Sequence, residues 1–251
     1  MLEALNWKLF LFGQFPDGHI GGLAINILMS VAAFFFGLLM ALVLSLGRMA
    51  RTRMINVPAA VYVHVIRCTP LLLIVFWFYF LIPVFFDFSI DVLWSALIAL
   101  SVYASANLAE ILRAGILSIP KGQYESARAL GMSYMQTMRN VVVPQAFKNM
   151  IPCFFSFFIS LFKDTSVLYI LGVVDLLQVG VITSERRPDL ILPVYLCVAL
   201  GFFMVSYSVS MILKYLEHRF GMILCTDCLP EEAGSTISTY QNKGLSSVVV
   251  G

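Results

Sequence analysis

The sequence predicts an all-α membrane protein with five transmembrane helices, and three observations carry that expectation. The 251-residue chain is 60% hydrophobic and only 12% charged. Soluble domains are about 25% charged, so this chain lacks the polar surface to cover a globule in water. Its apolar residues fall in runs of roughly 20 or more, the length that crosses a bilayer as a helix. Its basic residues gather at the ends of those runs, and a net charge of +2 argues against nucleic acid as a partner.

Each span is read from its own run. The first, 21–47, is apolar apart from Asn26 and a few serines, and ends at Arg48, Arg51 and Arg53. The second, 57–86, contains Arg67 and closes near Asp87 and Asp91. It is longer than one crossing requires, so its first part lies along the surface or tilts in, with Arg67 near an interface. Pro70 and Pro83 are expected to bend it. The third, 92–117, carries Asn107, Glu110 and Arg113 and stops before Pro120. The fourth, 151–171, holds Lys163 and Asp164, and the fifth, 190–213, runs into Lys214 and Arg219. Residues 1–20 form an N-terminal segment, 21–220 the membrane domain, and 221–251 a polar tail expected to be disordered.

Orientation follows from the arginines and lysines. They follow spans one, three and five, which with five spans all fall on one side, so the N terminus is periplasmic and the C terminus cytosolic. The cytosolic side then includes the loop 121–147. Residues 125–137 of it are rich in helix formers, and Ala127, Leu130, Tyr134 and Met138 recur at helical spacing as one apolar stripe, with Glu125, Arg128 and Gln136 off it. Gly131 interrupts the helix to allow a bend or a close backbone contact, or is an ordinary loop glycine; Pro144 ends the run before span four. On pattern alone the helix rests on lipid, packs on its own bundle, or enters a partner's groove.

Charges inside spans are costly and usually face a bundle interior or a watery path. Lys163, Asp164, Thr165 and Ser166 fall in the middle to outer part of span four. They either line a path, where charges and hydroxyls meet ammonium and carboxylate groups, or form a structural element with neighbouring helices. Asn107, Glu110 and Arg113 share one helix face; Glu110 and Arg113 are expected to pair, and Asn107 is open to either role. Arg67 neutralises an acidic solute or reaches lipid phosphates.

Catalytic chemistry finds no foothold. His19, His64 and His218 are scattered, no Ser or Cys has a base beside it, and Cys225 and Cys228 form a lone CxxC without a second ligand pair. No GxxxxGK[ST] loop is present to hold nucleotide phosphates. No cofactor or metal site is expected on this chain.

Glu125, Ser126 and Ala127, then Gly131, then Val141, Val143 and Pro144 resemble the EAA loop of ATP-binding-cassette importer permeases. That pattern is EAA, three residues, Gly, nine residues and Ile-x-Leu-Pro; the spacing here is kept in full, with Ser for one Ala and valines for Ile and Leu. The blocks EILRAGILSIPKGQYESARALGM, VVVPQAFKNMIP, RCTPLLLIVFWFYF and LFKDTSVLYILGVVDLL are similar to the polar amino-acid branch of these permeases, over about residues 15–220. LLLIVFWFYFLIPVFF, KDTSVLYILGVVDLLQ and TSERR most resemble its glutamate/aspartate subunits.

The resemblance implies a type I importer permease in a bacterial inner membrane, carrying glutamate and aspartate or another polar amino acid such as glutamine, histidine or arginine. It implies a second permease subunit, same or sister, two ATPase subunits that bind ATP and Mg, and a periplasmic amino-acid-binding protein. It makes the loop a cytosolic coupling helix docked on an ATPase, with Glu125, Ser126, Ala127, Arg128, Leu130, Gly131, Tyr134 and Pro144 as its coupling residues. From the residues themselves, Glu125 and Arg128 are expected at the groove rim, with Ala127, Leu130 and Tyr134 filling it. A carrier working alone is opposed by this pattern and by the lack of an internal repeat.

Overall fold

Small side chains decide the centre of the bundle. Along the first helix, α1 (Gly22–Met49), Met29, Ala33, Gly37, Ala41 and Ser45 recur every four residues and are all buried. α1 runs against α5 (Val92–Leu117), which buries Ser101, Ala104, Ser105, Leu108 and Ala109. A Cβ on Gly37 would lie 2.6 Å from the Ala104 Cβ and 3.2 Å from the Ser101 carbonyl oxygen. Lipid tails are as apolar as leucine, so helices in a bilayer associate through such close van der Waals packing rather than through apolar burial. α5 starts on Asp91, whose carboxylate accepts from the Leu93 amide at 2.9 Å.

The coordinates are a computed structural model describing residues 10–11, 21–50, 52–86 and 90–220, with the backbone alone for 86 and 218–220. The remainder of the N-terminal segment, Arg51, Asp87, the side chains of His218 and Arg219, and the tail with Cys225 and Cys228 lie outside the described residues.

α2 (Arg53–Cys68) packs on α1 and α5. Asn56 Nδ2 donates to the Arg48 and Ala50 carbonyls at 2.7 and 3.3 Å, closing the end of α1, and the Tyr62 hydroxyl meets Ser105 Oγ at 3.0 Å. The chain then bends by 107° at Thr69 and Pro70 into α3 (Leu71–Phe76), where a bend was expected. Pro83 lies further along the same span. It sits inside α4 (Ile82–Phe86), behind a π turn over Trp77–Leu81 in which the Ile82 amide reaches back five residues to the Trp77 carbonyl. Widening the turn shifts the hydrogen-bond register just where proline supplies no donor, and the helix continues.

The same device corrects the reading of span four. Helix α7 (Tyr134–Thr137), a π turn over Met138–Val142, α8 (Val143–Asp164) and a 3-10 turn over Thr165–Leu171 form one run of 38 residues. Pro144 therefore does not break the chain ahead of a span at 151. The Val143 amide bonds the Met138 carbonyl, so the π turn shifts the hydrogen-bond register just ahead of Pro144 and the run continues past it. α8 packs on α1 through Phe34, whose ring meets those of Phe154 and Phe158 edge-on at 6.4 and 5.6 Å.

α9 (Leu176–Arg186) and α10 (Ile191–Phe220) complete the described chain and pack through Leu176, Val179, Val194 and Val198, with Phe10 joining the cluster. Four helices are long and apolar enough to cross a membrane, and the bent pair of α2 with Leu71–Phe85 supplies a fifth crossing if counted as one span.

Candidate functional site

Two regions carry polar groups that packing alone does not require: the loop joining α5 to α8, and one face of α5 itself. The loop is a hairpin of two short helices, α6 (Lys121–Ala129) and α7, with the interruption at Gly131 that the sequence suggested. Gly131 divides them at φ +77°, a left-handed conformation that costs an L residue about 1–2 kcal/mol. The Gly131 amide bonds the Arg128 carbonyl at 2.9 Å and the Met132 amide bonds the Ala127 carbonyl at 3.1 Å, the paired bonds of a Schellman motif. A Cβ at Gly131 would have nothing within 4 Å, so the glycine is there for its backbone and not for a close contact. Ser133 then opens α7 with a capping box: its hydroxyl accepts from the Gln136 amide at 3.4 Å, and Gln136 Oε1 accepts from the Ser133 amide at 2.9 Å.

This hairpin splits the predicted stripe. Ala127 is 2% exposed and turned toward its own chain, while Leu130 is 81% and Tyr134 71% exposed; Met135, which sequence reasoning missed, is equally open at 71%. Met138 and Tyr124 are half-buried against the core. Glu125, Ser126, Arg128 and Gln136 are exposed, as is Pro144. The apolar surface offered outward is thus a knuckle at the hairpin tip, and Ala127 cannot fill a groove elsewhere. Gln145 Nε2 meets Gln123 Oε1 at 3.3 Å and Asn149 Nδ2 donates to Ser118 Oγ at 3.1 Å, which ties α8 back to the hairpin's base.

On α5, Tyr103, Asn107 and Glu110 stand at i, i+4 and i+7, a single stripe about 10 Å long. Glu110 is the hub of an ion cluster. One carboxylate oxygen accepts from Arg48 on α1 and the other from Arg113 one turn on, while Arg67, at the end of α2, stands 4.0 Å away. The Glu110–Arg113 pair was expected from spacing; Arg48 and Arg67 were not, because their approach depends on how α1 and α2 pack on α5. Three guanidinium groups against one carboxylate leave a surplus of two positive charges. Arg67 carries the freest of them, its side chain 42% exposed against 10% for Arg48.

Tyr103 lies within electrostatic reach of both Arg67 on α2 and Asp164 on α8. Asn107 is half-buried and donates back to the Tyr103 carbonyl at 3.0 Å. Lys163 is exposed, and Asp164 and Ser166 are half-buried at the end of α8 and the start of the 3-10 turn.

Thr165 does not belong with them. It is fully buried, and its hydroxyl accepts from Asn26 Nδ2 at 2.9 Å while donating to the Phe162 carbonyl at 2.7 Å. Asn26 also donates to Asp175 Oδ2 at 3.2 Å and accepts from the Leu176 amide at 3.0 Å. Asp175 caps α9 through the Gln178 amide at 2.7 Å, and the Gly22 amide bonds the Val174 carbonyl at 2.8 Å. This buried clasp fastens the start of α1 to the turn before α9. Burial pushes the Asp175 carboxyl up to about 6, against the lowering effect of its bonds from Gln178 and Asn26. The available signal was Asn26, the one amide in the first apolar run. Among the described residues no three of His, Cys, Asp and Glu gather in a group able to hold a metal ion.

The chain thus combines helices long and apolar enough to cross a membrane, a capped hairpin between α5 and α8, and an ion cluster centred on Glu110. Residues 33–222 match the family described as "Binding-protein-dependent transport system inner membrane component", and the chain belongs to it. It is 37% identical over 216 residues to the L-cystine transport system permease protein TcyB of Bacillus subtilis, covering 86% of this chain and 92% of that protein. It is 33% identical over 207 residues to the glutamate/aspartate import permease protein GltK of Escherichia coli, covering 80% and 92%. Among solved structures, one described as an amino acid ABC transporter with histidines superposes with a TM-score of 0.78 at 30% identity, covering 87% of this chain and 97% of that one. The MetNI methionine ABC transporter, at 20% identity and a TM-score of 0.61, shares the fold; 77% of this chain and 94% of that one are covered.

Proposed function

We propose that this chain is the permease subunit of an ATP-driven importer of polar amino acids in the bacterial inner membrane, with glutamate and aspartate as its substrates. Its N terminus is periplasmic and its C terminus cytosolic. It pairs with a second permease chain, receives substrate from a periplasmic amino-acid-binding protein, and is driven by two ATPase subunits that hold ATP and Mg. Family membership and relatives whose names include cystine, glutamine and glutamate permeases support the importer and its substrate class. The hairpin supports the coupling role: Gly131 and the Ser133 box fix its tip, so a push there moves α5 and α8 as bodies rather than flexing a loop.

The observation that supports the substrate assignment is that Arg67 and Asp164 both lie within electrostatic reach of Tyr103. An α-amino acid presents a carboxylate and an ammonium a few ångströms apart, which suits Arg67 for the first and Asp164 for the second. Glu110 engages Arg48 and Arg113 closely and Arg67 only at 4.0 Å, so Arg67 is the member of the cluster best able to turn to solute. With Lys163 exposed nearby in sequence, cations exceed acids along the path, which favours a side chain bearing a second carboxylate over one bearing a cation.

The test is uptake of labelled glutamate, aspartate, glutamine, histidine, arginine and cystine into vesicles holding the intact importer. Acidic substrates should dominate. Arg67→Gln should raise the concentration needed for half-maximal glutamate uptake at least tenfold, with ATP hydrolysis in the absence of substrate unchanged. Preference for arginine or cystine over glutamate would overturn the substrate assignment and leave the importer standing.

A further inference from the structure

We infer that Glu110 is a built-in competitor for the solute's carboxylate: it draws Arg67 back when the path is empty, and Arg48 sets how strongly it does so. This role rests on the proposed pairing of Arg67 with solute and adds the residues that tune that pairing. The two oxygens of Glu110 have different partners. Oε1 accepts from Arg113 Nε at 3.1 Å and from Arg113 Nη2. Oε2 accepts from Arg48 Nη1, and Arg67 Nη1 stands 4.0 Å from that same oxygen. Arg48 and Arg67 thus converge on one acceptor, and only Arg48 holds it within hydrogen-bond reach. Arg48 is well anchored: its side chain is mostly enclosed, its carbonyl accepts from Asn56, and α1 meets α5 with no room for a methyl at Gly37. Arg67 is exposed and lies in the last turn of α2, just ahead of the 107° bend.

A guanidinium 4.0 Å from a carboxylate is attracted to it, and more strongly in a partly enclosed cluster than in open water. An arriving solute carboxylate must win Arg67 from Glu110, and on release Glu110 takes the cation back. The apparent affinity is the intrinsic affinity scaled by the fraction of time that Arg67 stands clear of Glu110. Arg48 governs that fraction, because it fills the oxygen that Arg67 would otherwise take. Neutralising Glu110 frees Arg67 and tightens solute binding. Removing Arg48 hands the vacant oxygen to Arg67 and weakens it. A cluster that served only to hold α1, α2 and α5 together would respond to both changes in the same direction, since each leaves charge without its partner.

The experiment measures equilibrium binding of labelled glutamate and glutamine to the purified importer without its binding protein, so that the membrane path alone holds solute. Both probes carry the α-carboxylate and should respond alike. Glu110→Gln keeps an oxygen to accept from Arg48 and Arg113 while losing the charge, and should lower the dissociation constant about fivefold. Arg48→Gln should raise it by a similar factor. Arg113→Gln, an equal loss of charge at the other oxygen, should change it by less than about twofold. Added to Glu110→Gln, Arg48→Gln should have no further effect, because no charged acceptor remains to take Arg67. Equal weakening by Arg48→Gln and Arg113→Gln would reduce the cluster to a general positive field and overturn the competition. Weakening by both Glu110→Gln and Arg48→Gln would overturn it as well. Should Glu110→Gln fail to assemble, the contrast between Arg48→Gln and Arg113→Gln decides. Arg67→Gln separates the two levels: if it weakens binding while the other variants fail their pattern, only the competition falls. If it leaves binding as in the parent, the pairing of Arg67 with solute falls too.

Discussion

Replacing Gly131 separates two reasons for a glycine, space and backbone. Its φ of +77° lies where L residues are strained, yet a Cβ built there meets no atom within 4 Å. Alanine should therefore cost about 1–2 kcal/mol through φ alone. Set against the free energy that holds the turn, that is a factor of roughly 5–30 in the population of the correct hairpin tip. The bonds at stake are Gly131 to Arg128 and Met132 to Ala127, which aim Leu130 and Tyr134 outward. Asparagine tolerates the left-handed region better than alanine or valine, so Gly131→Asn should retain most of the parent's behaviour. The assay is the ratio of substrate carried to ATP hydrolysed in vesicles containing the assembled importer. Gly131→Ala and Gly131→Val should lower that ratio several-fold and Gly131→Asn much less. If Asn is as damaging as Val, the position is limited by partner contact and not by φ. If Ala is silent, the Schellman turn is not needed for coupling.

Two further expectations follow from packing and from charge. Gly37→Ala places a methyl 2.6 Å from the Ala104 Cβ and should destabilise the bundle by about 1–3 kcal/mol, read as a lower midpoint of thermal unfolding in detergent, with Ala104→Gly added to it recovering part of the loss. Asp175 has a carboxyl raised to about 6 when folded, above its ordinary 3.8, so the folded chain holds the proton more tightly than the unfolded one. That contribution strengthens the fold as pH falls from about 6 towards 4 and is absent above pH 7; Asp175→Asn should flatten the stability profile in that window, and an unchanged profile would contradict it.

Composition and run length sufficed to show the bundle, because a span's length and apolarity are local properties. The third span, 92–117, matches α5 residue for residue, and the bend at Pro70 sits where proline demands it. Pro144 misled, since a π turn absorbs a proline without breaking the helix and leaves no mark in hydropathy. The stripe through Ala127 and Tyr134 failed for a related reason: it assumed helical phase across Gly131, where the chain reverses hand. Thr165 looked like a path residue beside Asp164, but one residue along a helix is a turn of about 100°, enough to send it to Asn26 instead. Arg48 and Arg67 reach Glu110 across 62 and 43 positions of chain, a convergence that spacing alone does not report.

The most direct measurement is amino-acid uptake into vesicles carrying this chain together with the proposed second permease chain, ATPase and binding protein. Uptake of glutamate that requires ATP inside, requires all four components, and is lost on removing Leu130 and Tyr134 side chains is the predicted result. Uptake by this chain without an ATPase, driven by an ion gradient alone, would contradict the account.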